Sequence, residues 1–117
     1  MEITLLKKNG EHYLLKVEGD VLMENSKDFY NGIKEIFCGK NGHLSLDFSR
    51  VQFIDSSGIG SLIKLTSELK RENFTINVIG LNKNLKTVFQ LSGISTIIKI
   101  KTQSEFCIEH PEFQDCF

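Results

Sequence analysis

Apolar positions follow two rhythms along this chain, and the changes between them mark its elements. Ile3 to Lys7 and His12 to Val17 are short runs on either side of Asn9-Gly10. Both residues of that pair tolerate positive φ, so the spacing predicts an antiparallel hairpin, closed after its second strand by Gly19-Asp20. Phe29, Ile33, Ile36 and Phe37 then recur at i, i+4, i+7 and i+8, one stripe of a helix. Asn25 or Ser26 stands where a cap belongs, and Gly39 and Asn41-Gly42 end the stripe. His43 to Phe48 returns to strand alternation.

Ile59, Leu62, Ile63, Thr66 and Leu69 carry a second helix to about Arg71, with Asp55 to Ser57 at its N-terminal end. Phe74 to Ile79 reads as a strand stopped by Gly80. Asn82 opens a short helix through Leu85, Val88 and Phe89 that Ser92-Gly93 terminates. The β-branched residues Ile97, Ile98 and Ile100 predict a last strand, and Ser104 to Glu109 a final helix before Pro111. The order β-β-α-β-α-β-α-β requires helical crossovers between parallel strands. The fold expected is an α/β sandwich: a mixed, mostly parallel sheet of about five strands with helices packed on it and an extra C-terminal helix. One domain is expected over residues 1–117, with its core at about 3–100 and a C-terminal extension at about 102–117.

Charge narrows the function. Fourteen basic against 15 acidic residues leave a net charge of −1, which argues against direct binding of a nucleic-acid backbone. No apolar run reaches membrane-spanning length, and the first residues lack the basic and apolar regions of a secretory signal, so a cytoplasmic protein is expected. Cys38, Cys107 and Cys116 are odd in number and contain no CxxC, which speaks against a disulfide framework or structural zinc. His12, His43 and His110 are far apart, without partners at ligand spacing; they read as structural or surface residues, and no metal site is expected. Gly58-Ile59-Gly60 lacks both the third glycine of a dinucleotide loop and the lysine of a P-loop, so no cofactor is expected. Phe106, Ile108, Phe113 and Phe117 suggest a final helix packed on the sheet. Small size and mixed surface charge suit a monomer.

The stretch from Asp47 to Leu65 is the most informative. A strand leads through a short loop to a helix beginning Asp55-Ser56-Ser57-Gly58. Free amides and the positive dipole end there favour an anion, so a phosphoserine at that point meets donors and projects nearly two negative charges. Gly58 and Gly60 remove side chains beside the serines, which lets a partner backbone approach. Asp-Ser-Ser before an apolar run is also the pattern of any ordinary N-cap. An acid-nucleophile pair of Asp55 and Ser56 has no histidine or lysine base nearby in sequence, and no enzyme is expected.

Asp47-Phe48-Ser49-Arg50-Val51-Gln52-Phe53-Ile54-Asp55-Ser56-Ser57-Gly58-Ile59-Gly60 resembles the signature of the STAS domain, and most of all that of bacterial anti-sigma factor antagonists. Val17-Glu18-Gly19-Asp20-Val21 and Phe89-Gln90-Leu91-Ser92-Gly93-Ile94 resemble flanking segments of the same family, from roughly Ile3 to Ile100. The resemblance implies a STAS-type sandwich and a partner switch. The unphosphorylated antagonist binds an anti-sigma factor that is also a serine kinase, and so frees the sigma factor. The kinase phosphorylates the serine after the motif's Asp, and a PP2C-type phosphatase resets it. Carried over, the acceptor is Ser56, with Ser57 as second choice. Asp55, Ser57, Gly58, Ile59, Gly60, Asp20 and Glu24 surround the partner-binding site. The antagonist itself catalyses nothing. One departure stands out: many kinase-regulated members carry Asp where this chain has Leu22, and Asp20 and Glu24 lie in other registers. A phosphorylation-independent scaffold, or an accessory subunit of a stress-signalling or transport complex, is the alternative.

Overall fold

The structure, a computed structural model, describes residues 1–37 and 41–117, so Cys38 and Gly39 lie outside it. β1 (Glu2–Asn9) and β2 (His12–Glu18) pair antiparallel. The turn between them is Gly10-Glu11, one residue later than Asn9-Gly10, and Gly10 takes the positive φ of 60°. α1 (Ser26–Phe37), β3 (Gly42–Arg50), α2 (Ser56–Arg71), β4 (Phe74–Ile79), α3 (Lys83–Ser92), β5 (Lys99–Lys101) and α4 (Gln103–Glu109) follow, with a 3₁₀ segment over Pro111–Cys116. The strands lie in the order β1-β2-β3-β4-β5, parallel from β2 onward.

A sheet whose neighbours are also neighbours in sequence, joined by right-handed crossovers, receives its crossover helices on one face. The core is built accordingly. Tyr13, Leu15 and Val17, then Leu44, Leu46 and Phe48, then Phe74, Ile76 and Val78 present alternate residues of β2, β3 and β4. Against them pack Phe29, Ile33 and Phe37 of α1, Leu62, Leu65 and Leu69 of α2, and Leu85 and Phe89 of α3. Lys34 on α1 reaches Glu68 (3.2 Å) and Glu72 (3.3 Å) on α2, and Tyr30 donates a hydrogen bond to Glu68, tying these two helices at their outer edges.

The other face of the sheet is covered by the tail. Leu14 and Ile79 meet Phe106 of α4 and Phe113 of the 3₁₀ segment, all fully buried. Thr102 and Glu105 form a reciprocal capping box that starts α4. Of the apolar tail residues, Phe106 and Phe113 turn inward, whereas Ile108 and Phe117 are exposed. Lys7 of β1 fixes the last segment, donating to the Glu112 carbonyl and pairing with Asp115 at 3.1 Å.

Two expectations are corrected here. Ile97 and Ile98 are not in the last strand. Gly93 enters the left-handed region (φ 78°) and starts a 3₁₀ turn over Ile94–Thr96, and the amides of Ile97 and Ile98 both donate to Ile94 O. Their donors are spent, and pairing with β4 begins only at Lys99. The three histidines, distant in sequence, converge: the His12 ring lies 4.7 Å from that of His110 and 5.8 Å from that of His43. Burial, reinforced by the charges of His110 and His43, holds the His12 pKa down to about 4, so its ring is neutral at pH 7.

Candidate functional site

The parallel strands β2 and β3 both run out at the same end of the sheet, which brings the loop after Glu18 against the loop after Arg50. Two carboxylates clasp these loops together. Asp20 Oδ1 accepts from the amides of Gln52 (3.3 Å) and Phe53 (3.1 Å). Asp55 does the reverse, with Oδ2 accepting from Met23 N at 2.9 Å while Oδ1 accepts from Gly58 N at 3.0 Å as the cap of α2. Between them Val21 and Ile54 form an isolated parallel bridge, with Val21 N donating to Phe53 O and Asp55 N to Val21 O. Asn25 does not cap α1 through its side chain. Its carboxamide turns back into the loop, accepting from Leu22 N and donating to the Asp20 carbonyl.

Donation from Gly58, Met23 and Ser57 amides holds the Asp55 carboxyl below the ordinary carboxylate range. One residue therefore fixes both the helix start and the opposing loop. We expect Asp55→Ala to lower the melting temperature by about 5 °C at pH 7. Because the folded carboxyl titrates below its unfolded value of 3.8, its stabilisation is present above that value and lost as pH falls through the folded pKa. The gap between wild-type and variant melting curves should thus close in acid below pH 3.8.

The expected site residues divide into inward and outward sets. Ser56 is exposed at the first position of α2, Ser57 is half-buried at the second, and Gly60 and Glu24 are exposed. Gly58 and Ile59 are buried. The absent side chain of Gly58 serves this chain's own loop, not an approaching partner: a Cβ there would stand 2.5 Å from Val21 O and 2.6 Å from Ile54 Cγ1. A Cβ on Gly60 meets nothing within 4 Å. Gly58→Ala should therefore cost about 1–3 kcal/mol in urea unfolding. Gly60→Ala, at an open helical position, should be neutral or stabilising by up to about 1 kcal/mol.

The two serines address different grooves. Ser56 borders an apolar one lined by Ile54, Ile59, Ile63, Val88 and Leu91. Ser57 borders a polar one between α1 and α2, where Lys27 and Lys64 stand. Met23, Phe53 and Leu91, all more than half exposed, rise around this end of the molecule. Their apolar surface is a contribution that periodicity did not flag. The signal available was an aromatic placed outside any stripe, Phe53, in a loop that burial of the core does not require.

A strand–loop–helix unit with an exposed serine at the first position of its helix, on a sheet of this order, defines a class, and the comparisons agree with it. The STAS domain model matches residues 4–107, and the chain belongs to that family. It is 26% identical over 107 residues to an anti-sigma-B factor antagonist of Listeria monocytogenes, covering 86% of this chain and 89% of that one. The crystal structure of a candidate anti-sigma factor antagonist from Thermotoga maritima shares the fold, with a TM-score of 0.76 at 23% identity over 88% of this chain and 90% of that one. So does the Bacillus cell fate determinant SpoIIAA in its phosphorylated form, with a TM-score of 0.66 at 22% identity over 92% and 98% of the two chains. Among the described residues no helix is long and apolar enough to cross a membrane.

Proposed function

We propose that this chain is an anti-sigma factor antagonist switched by phosphorylation at Ser56. The observation that supports the reading most is the position of that serine. It is exposed, it directly follows the capping Asp55, and it borders an apolar groove lined by Ile54, Ile59, Ile63, Val88 and the exposed Leu91. The unmodified protein docks this end of the molecule on an anti-sigma factor serine kinase and so frees the sigma factor. A phosphate on Ser56 stays tolerable in the free protein, because the side chain is exposed to water at the positive end of α2. In the complex the same group brings a charge of nearly −2 into an apolar interface, beside the carboxylate of Asp55. A PP2C-type phosphatase reverses the modification. The chain catalyses none of these steps and needs no cofactor for the switch.

The departure at Leu22 has a structural counterpart. Asp20 spends its carboxylate on the amides of Gln52 and Phe53, and Asp55 reaches across to Met23, so the loop after β2 is held without an acid at position 22. Glu24 remains exposed beside the clasp for contact with the kinase.

The test is phosphopeptide mapping after incubation with ATP and the serine-kinase anti-sigma factors of the same cell, alongside Ser56→Ala and Ser57→Ala. A single phosphate lost only in Ser56→Ala is the expected result. A stable complex in which no kinase adds phosphate would overturn the switch and leave a phosphorylation-independent scaffold.

A further inference from the structure

We propose that His12, His110 and Glu112 form a binding site for a divalent transition metal of the zinc type, which staples the C-terminal segment to the sheet. One ligand atom from each residue can be chosen so that all lie within 4.8 Å of one another. His110 Nδ1 and Glu112 Oε1 are already 3.5 Å apart. Two ligands of a tetrahedral zinc ion, each about 2.1 Å from the metal, are separated by about 3.4 Å. Closing the third corner needs side-chain adjustment of up to about 1.4 Å, the difference between 4.8 Å and that separation. Two imidazoles and a carboxylate, with one position left for water, are a donor set that zinc accepts.

The surroundings are those of a held ligand set. His12 is buried, and its Nε2 shares a 2.7 Å hydrogen bond with Ser45 Oγ, which fixes the ring and leaves Nδ1 as the nitrogen for a metal. The neighbouring rings of Phe106 and Phe113 close over it, at 5.8 and 4.6 Å between centroids. Glu112 is positioned through its own backbone, whose carbonyl accepts from Lys7. Three lysines, Lys70, Lys99 and Lys101, line the groove that His12 and His110 border, and Lys101 pairs with Glu109 at 2.6 Å. The groove also contains Asn77, whose buried Oδ1 has no hydrogen-bond partner among the described residues. A polar occupant of the groove, such as a metal-bound water, would satisfy that atom.

The ligands come from β2 and from the tail, and the STAS match ends at residue 107, before His110 and Glu112. Two of its three ligands thus lie outside the matched span, and the site uses none of the residues of the switch at Ser56. Binding there stabilises only the state with the tail docked, so it couples metal occupancy to the covering of the sheet's second face.

The test uses the untagged full chain, freed of metal by chelator and titrated with Zn²⁺ against a chromophoric chelator, and with Co²⁺ by its visible absorption. One equivalent is expected, with a rise in melting temperature of about 5 °C or more at saturating Zn²⁺. His110→Ala and Glu112→Gln, both at partly exposed positions, should keep a cooperative melt without metal and weaken binding at least tenfold. A variant with Cys38, Cys107 and Cys116 all changed to serine should bind as the wild type does. Absence of binding, binding that survives both His110→Ala and Glu112→Gln, or binding lost with the cysteines would each overturn the site.

Discussion

Ser56→Asp should weaken the complex with the kinase anti-sigma factor at least a hundredfold, about 3 kcal/mol of binding free energy, while leaving the fold intact. The asymmetry follows from where the side chain stands. In the free protein the new carboxylate sits in water at the positive end of α2, where a charge costs little or is mildly stabilising. In the complex it must be desolvated against the groove lined by Ile54, Ile59, Ile63, Val88 and Leu91, next to an Asp55 that is already ionised. Ser57→Asp is the informative comparison, because its side chain borders the groove of Lys27 and Lys64, where an added negative charge is partly compensated. Calorimetric titration of both variants and the wild type against the kinase checks the ordering. Equal losses at the two positions would remove the special role of Ser56, and unchanged melting curves would confirm that binding alone was altered.

Phe106→Ala should cost about 3–5 kcal/mol of folding stability, the largest single effect expected outside the switch. Phe106 is fully buried and is the centre of the second apolar cluster, with Leu14 and Ile79 beneath it and Phe113 5.7 Å away between ring centroids. Its removal leaves a cavity that β2 and β4 cannot relax into, because their other faces are fixed in the main core. For a domain stable by some 5–15 kcal/mol, that is a large share. Urea unfolding followed by circular dichroism measures it. A loss below about 1 kcal/mol would mean that the tail unfolds separately from the sheet and adds nothing to its stability.

What was readable in the chain, and what was not, divides along physical lines. Elements specified by local rules were found from sequence. Phe29 to Phe37 and Ile59 to Leu69 keep a helical period, Asn82 caps through its own side chain (2.8 Å to Leu85 N), and Gly93 terminates α3 in the left-handed region. The parallel pairing from β2 onward follows from the alternation of these elements. The last strand was displaced because β-branched composition alone placed it. A turn nucleated at Gly93 consumed the amides of Ile97 and Ile98, and that competition is not visible in propensities. Asp55 as a cap was legible, whereas its second bond to Met23 and the matching bonds of Asp20 were not. Both join loops about 30 positions apart and depend on the parallel pairing of β2 with β3. The gathering of His12, His43 and His110 is of the same kind: it exists only once the tail has folded back across the sheet.

The clasp of Asp20 and Asp55 has a consequence for the tempo of recognition. Two loops pinned to each other through three backbone amides are ordered before any partner arrives, so association freezes little additional chain motion. The encounter then approaches rigid docking, with an on-rate governed by orientation and charge instead of by rearrangement. A phosphate on Ser56 would act on such a surface without having to remodel it, and its effect would be felt chiefly as faster departure of a partner already seated.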